Sequence, residues 1–123
     1  RMKFFRMGHV AIHVSDVEKS LRWYESVLGL KGRWTQDQDW ANLKLGSDDL
    51  SLVAKENAKH PVHCGFRVKS KEDLKLVHAD LAAKGVEVEK ISGHRDGSIS
   101  FYFKDPDGNY LEALWDPKIE EQV

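Results

Sequence analysis

Two histidines that open similar stretches, His9 and His63, and one glutamate set in an apolar run, Glu112, are the residues of this 123-residue chain best equipped for chemistry. Glu112 stands among Leu111, Ala113, Leu114 and Trp115. A carboxylate there loses several kcal/mol in desolvation unless water, a cationic partner or a metal faces it. Two imidazoles and a carboxylate are the donors of an open facial site for Fe(II), Mn(II), Ni(II), Co(II) or Zn(II), with positions left for water or substrate oxygens. The chemistry of such a site is chelation of a substrate. The plainer reading of the same residues is an edge strand with Glu112 in solvent and His–Glu hydrogen bonds.

The elements that would hold these residues come as a repeat. "HVAIHVSDVEKSLRWYESVLGLK" from His9 is similar to "HCGFRVKSKEDLKLVHADLAAKGVE" from His63, 54 residues on. Each copy opens with a short β-type run, His9 to Val14 and His63 to Val68, followed by a helix start. Ser15 with Glu18, and Ser70 with Asp73, have the capping-box spacing. Val17, Leu21, Tyr24 and Leu28 form one helix face, and Leu74, Val77 and Leu81 the other. Gly29 and Gly85 end the helices as left-handed caps. Hairpins follow around Gly46 to Asp49 and around Asp105-Pro106-Asp107-Gly108, where Pro fixes φ and Gly accepts φ > 0. Further strands are expected near Lys31 to Thr35 and Val86 to Ile91, Lys55 to Pro61 reads as a linker, and little regular order is expected from Asp116 onward.

The pattern is therefore α+β: two β-α-β-β-β modules, about 7–55 and 61–116, in a single domain. Strand parity sets His9, Ala11 and His13 on one face and Val10, Ile12 and Val14 on the other. It likewise separates His63, Gly65 and Arg67 from Cys64, Phe66 and Val68. The apolar sets belong under the helices, so both histidines point away from them. Tyr110, Glu112 and Leu114 share the less apolar face of the last strand.

Composition excludes several classes. With 41% hydrophobic and 32% charged residues the chain can bury one ordinary core. A net charge of −1 gives no electrostatic reason for nucleic acid or an anionic membrane as partner. The single Cys64 has no internal disulfide partner and reads as a structural thiol in a reducing compartment. No apolar run approaches the roughly 18 residues of a membrane span and no signal core precedes Met7, so the expected location is cytoplasmic.

"HVAIHVSDVEKSLRWYESVLGL", "HCGFRV" and "DPDGNYLEAL" together resemble the vicinal oxygen chelate superfamily: glyoxalase I, fosfomycin-resistance thiol transferases, extradiol dioxygenases and bleomycin-resistance proteins. The resemblance runs from about Met7 to Trp115. It implies two βαβββ modules in a cupped mixed sheet, a divalent metal on His9, His63 and Glu112, a small-molecule substrate, and a homodimer in which the ligands come from one chain or from two. Glyoxalase I usually has a fourth ligand at the close of its first module, and comparing "LSLVA" with "LEALW" sets Ser51 there. A three-ligand site fits better and departs from glyoxalase I. It is also the pattern of the fosfomycin-resistance transferases, whose pocket tyrosine matches Tyr102. Ala11 stands where they carry a threonine, and the tail "IEEQV" lacks their C-terminal arginine.

The resemblance implies lyase, isomerase or thiol-transferase chemistry, with a low-molecular-weight thiol as a possible cosubstrate. A metal-free binding protein of the bleomycin-resistance kind and an Fe(II) dioxygenase are the alternatives, although the further His and Tyr motif of extradiol dioxygenases is not evident. His13 is the candidate general base. Tyr102 is a candidate hydrogen-bond donor to a bound oxygen, Arg67 a clamp for a carboxylate or phosphonate, and Trp34 a lining residue, with Trp40 at the mouth. Against these stand a rim histidine, a surface ion pair and packing aromatics.

Overall fold

A computed structural model describes residues 3–34 and 39–120, without the side chains of residues 33, 34, 119 and 120. In chain order it contains β1 (Phe4–Val14), α1 (Val17–Leu28), β2 (Lys31–Trp34), β3 (Trp40–Leu45), β4 (Asp48–Ala54), a 3-10 turn (Lys55–Asn57), β5 (His63–Val68), α2 (Lys71–Ala83), β6 (Ser92–Gly93), β7 (Ile99–Lys104), β8 (Tyr110–Trp115) and α3 (Pro117–Glu120). This is the expected β-α-β-β-β pattern twice, an α+β fold whose strands pair in the order β2-β3-β4-β1-β5-β8-β7-β6. Among the described residues no helix is long and apolar enough to cross a membrane.

The chain divides into two compact units, His9–His63 and the residues up to Gly8 together with those from Cys64 onward. In the first, β1 pairs parallel with β4, and β2, β3 and β4 pair antiparallel. Val17, Leu21, Ala41, Leu43 and Leu52 form its core, with Ile12, Val14 and Tyr24 packed against it. Asp16 opens α1, its side chain accepting the Lys19 N–H at 3.0 Å. Gly29 closes it at φ 71°. Gly32 allows α1 to lie close on β2, because a Cβ there would meet Leu21 Cδ1 at 2.2 Å.

In the second unit β5 pairs parallel with β8, and β8 and β6 flank β7 antiparallel. Val68, Leu74, Val77, Phe101, Phe103, Ala113 and Trp115 form its core, with Phe66 packed beside them. The Ser70 hydroxyl accepts the Asp73 N–H at 3.0 Å and opens α2. Gly85 follows the helix at φ 84°, after Lys84 at the cap. Asp105 builds the turn before β8: one carboxylate oxygen accepts the N–H groups of Asp107 and Asn109, and the other the Asn109 side chain. Those bonds, led by the Asn109 amide, hold the Asp105 carboxyl below the usual carboxylate range.

Several boundaries differ from the sequence reading. β1 starts at Phe4 rather than His9, because Phe4 packs into the second core and on Phe66, with ring centroids 5.3 Å apart. The cap of α1 is Asp16 and not Ser15, which puts Lys19 where a capping box would need Glu18. Leu28 is exposed rather than on the buried helix face, and Val10 is exposed on β1. The strand expected at Val86 to Ile91 is a single bridge, Val88 to Phe103, before β6. Between that bridge and the Ser92–Ser100 pair the register slips by one residue, as at a β-bulge. A helical turn, Pro117–Glu120, follows Asp116, whose carboxylate accepts the Lys118 N–H at 2.9 Å. The strand end expected at Thr35 lies outside the described residues.

Candidate functional site

In the first unit the imidazoles of His9 and His63 lie together, with ring centroids 5.5 Å apart and a ligand nitrogen of each within 4.8 Å of the other's. Both rings are held by Nδ1. His63 Nδ1 lies 2.8 Å from the Pro61 carbonyl oxygen, to which it donates, and His9 Nδ1 bonds the Asp49 carboxylate. A carbonyl cannot donate, so His63 carries its proton on Nδ1, which makes Nε2 its acceptor nitrogen. Ligating histidines commonly have this arrangement, the second ring nitrogen donating to a carboxylate or a backbone carbonyl.

Glu112 belongs to the second unit and is 3% exposed. In register it lies opposite Gly65 on the parallel strand β5 and opposite Tyr102 on the antiparallel strand β7. Gly65 is two residues beyond His63 along the same strand. The Tyr102 phenol donates a hydrogen bond to the Glu112 carboxylate. Burial first, and then the Glu112 charge, push this phenol well above the ordinary tyrosine value, so it stays protonated through the neutral range. Tyr110 stacks on Tyr102, centroids 5.0 Å apart, and its hydroxyl donates to Glu89 at 2.5 Å. Burial and that bond raise the Tyr110 phenol as well.

The register also locates Ser51. Ala11 pairs with Ser51 in the first unit as Gly65 pairs with Glu112 in the second. Ser51 therefore holds the position of Glu112 in its own module, as the comparison of "LSLVA" with "LEALW" implies, and offers a hydroxyl there.

The other candidates are arranged as follows. His13 is half-buried and its Nε2 donates to the His60 carbonyl at 2.8 Å, which leaves Nδ1 as the basic nitrogen. Arg67 is 1% exposed, not a surface cation, and its Nη2 donates to the Gly8 carbonyl at 3.3 Å. Trp40 is half-buried opposite Val53. The Trp34 backbone pairs with Ala41, but its side chain lies outside the described ones. Asp49 is the residue that sequence reasoning missed. The spacing of glycine and aspartates places it in a turn, Gly46 to Asp49, whereas β4 already begins at Asp48. Its parity with Ser51, two residues on, is the signal that would have found it.

The sequence model of the Glyoxalase/Bleomycin resistance protein/Dioxygenase superfamily matches residues 6–113. The chain belongs to this superfamily. A glutathione transferase, FosA, of Serratia marcescens is 30% identical over 86% of this chain and 77% of its own length. A manganese-dependent 2,3-dihydroxybiphenyl 1,2-dioxygenase of Geobacillus genomosp. 3 is 30% identical over 94% of this chain, which spans 39% of that enzyme. Methylmalonyl-CoA epimerase from Mycobacterium tuberculosis has the same fold, with a TM-score of 0.74 and 20% identity over 97% of this chain and 93% of that one. The two relatives and this structural neighbour bear the names of three different enzymes, and one of them is named for its metal.

Proposed function

We propose that this superfamily member is a divalent-metal enzyme that binds adjacent oxygens of a small substrate, with His9, His63 and Glu112 as ligands. The observation that carries the reading is the paired imidazoles, each engaged through Nδ1. The donor set fits a borderline divalent ion: two nitrogens and one buried carboxylate. Bound there, such an ion supplies Lewis-acid stabilisation of negative charge developing on a substrate oxygen.

The chain's own groups do the rest. Tyr102 keeps its proton and orients the Glu112 carboxylate. The carbonyls of Pro61 and His60 fix the tautomers of His63 and His13, and His13 Nδ1 is the nitrogen able to take a substrate proton. Arg67 contributes positive charge on the parity face of His63 and Gly65. Thiol transfer to a small oxyanion-bearing substrate is the reaction favoured first, because FosA is similar over most of both chains. A homodimer belongs to the same proposal; sedimentation at the monomer mass with metal bound would remove it.

Elemental analysis of the purified protein beside Glu112→Ala tests the metal. Near-stoichiometric metal in the parent that is lost in the variant is the expected result. Glutathione-consumption assays with phosphonate epoxides then test the reaction. Failure to take up Mn, Fe, Co, Ni or Zn would sink the enzyme reading in favour of a metal-free binding protein.

A further inference from the structure

We infer that Asp49 is a positioning residue for the metal centre, holding His9 so that Nε2 is the nitrogen it offers. The inference rests on the metal reading above and adds to it a group outside the ligand set. Asp49 stands directly opposite His9 in the parallel pairing of β1 with β4, forty positions away in the chain, and its carboxylate bonds His9 Nδ1. The Asp49 side chain is 6% exposed and that of His9 13%. A carboxylate held so far from water needs a strong donor, and the His9 N–H is one.

The two modules show why a side chain is used here. His63 is the first residue of β5 and follows the bend at Val62, so a carbonyl two residues back can turn onto its own Nδ1. His9 lies in the middle of β1, five residues after the strand begins. In an extended strand the carbonyl two residues back is directed along the sheet, not at the ring. The orienting acceptor must therefore come from the neighbouring strand, and residue 49 is the position in register with His9. By the pairing of Ser51 with Glu112, the matching residue of the second module is Tyr110, whose hydroxyl serves Glu89 instead. The aspartate thus belongs to the half in which the backbone gives no such acceptor. Its charge also strengthens the lone pair on His9 Nε2.

The experiment uses the full chain stripped of metal and titrated with Mn²⁺ and with Co²⁺. Dissociation constants are measured for the parent, Asp49→Ala, Asp49→Asn and, as a control from the same strand, Asp48→Ala. The nitrogen NMR shifts of His9 are recorded in the metal-free proteins. Asp49→Ala is expected to weaken binding by about 10–100-fold. Asp49→Asn keeps an acceptor for Nδ1–H and should lose less, Asp48→Ala should match the parent, and the parent His9 should be protonated on Nδ1. A folded Asp49→Ala protein that binds both ions as tightly as the parent overturns the inference alone. So does a parent His9 protonated on Nε2. A parent that binds neither ion removes the metal reading itself, and this inference with it.

Discussion

The unit His9–His63 and the unit built from Cys64 onward share one frame and differ in what they hang on it. In each, a strand opened or crossed by a histidine pairs parallel with the last strand of the module, and the residue two beyond the histidine, Ala11 or Gly65, meets Ser51 or Glu112. The first unit has a hydroxyl at that place and spends its buried acid two positions earlier, on Asp49 against His9. The second has its acid there, bonded by Tyr102, and leaves His63 to a backbone carbonyl. The frame fixes which positions face one another. Single residue types then decide which of those positions carry an acid and which a hydroxyl.

The largest expected difference between the two units lies at Glu112. Loss of an outer hydrogen-bond partner already costs about 10–100-fold in metal affinity, so Glu112→Ala should exceed that for Mn²⁺. Equal affinity by calorimetry would end its role as a ligand. The reciprocal change, Ser51→Glu, puts an acid at the matching place in the first unit without a phenol to receive it. The metal-free variant should lose about 3 kcal/mol of stability to urea, as expected for an unpaired buried charge, and regain part of it with metal. An unchanged urea midpoint would mean that the two positions differ in environment despite their register.

Tyr102→Phe asks for a smaller effect. The Tyr102 phenol is raised above its ordinary value of 10.0, by burial first and by Glu112 next. An unfolded chain releases that proton near pH 10 while the folded chain keeps it. The stabilisation is therefore complete below pH 10 and falls above it, by at most about 1.4 kcal/mol per pH unit. The variant should flatten this alkaline decline, and the same slope in both proteins would refute the assignment. Smallest are the helix caps. Asp16→Ala and Ser70→Ala should each cost about 1 kcal/mol in thermal unfolding, with Ser15→Ala close to neutral. A larger effect at Ser15 than at Asp16 would return the first cap to the residue its spacing suggests.

Much of this was written in the sequence. Alternation in "HVAIHV" and "HCGFRV" separated helix-facing from polar residues, and the doubled helix and hairpin signals gave both modules, because those patterns are local and repeat over a few residues. Boundaries were less legible. The choice between Ser15 and Asp16 depends on which residue first leaves helical geometry, and the extension of β1 back to Phe4 depends on a contact with Phe66. His9, His63 and Glu112 could be named from type and parity, and Tyr102 from the family resemblance. That Arg67 is buried, that His13 is tied to His60, and that Asp49 meets His9 could not. Sequence determines which face of its own strand a side chain takes. Which residue stands opposite it on another strand is decided by register, and register is set by the packing of whole strands and helices, which brings together residues forty places apart.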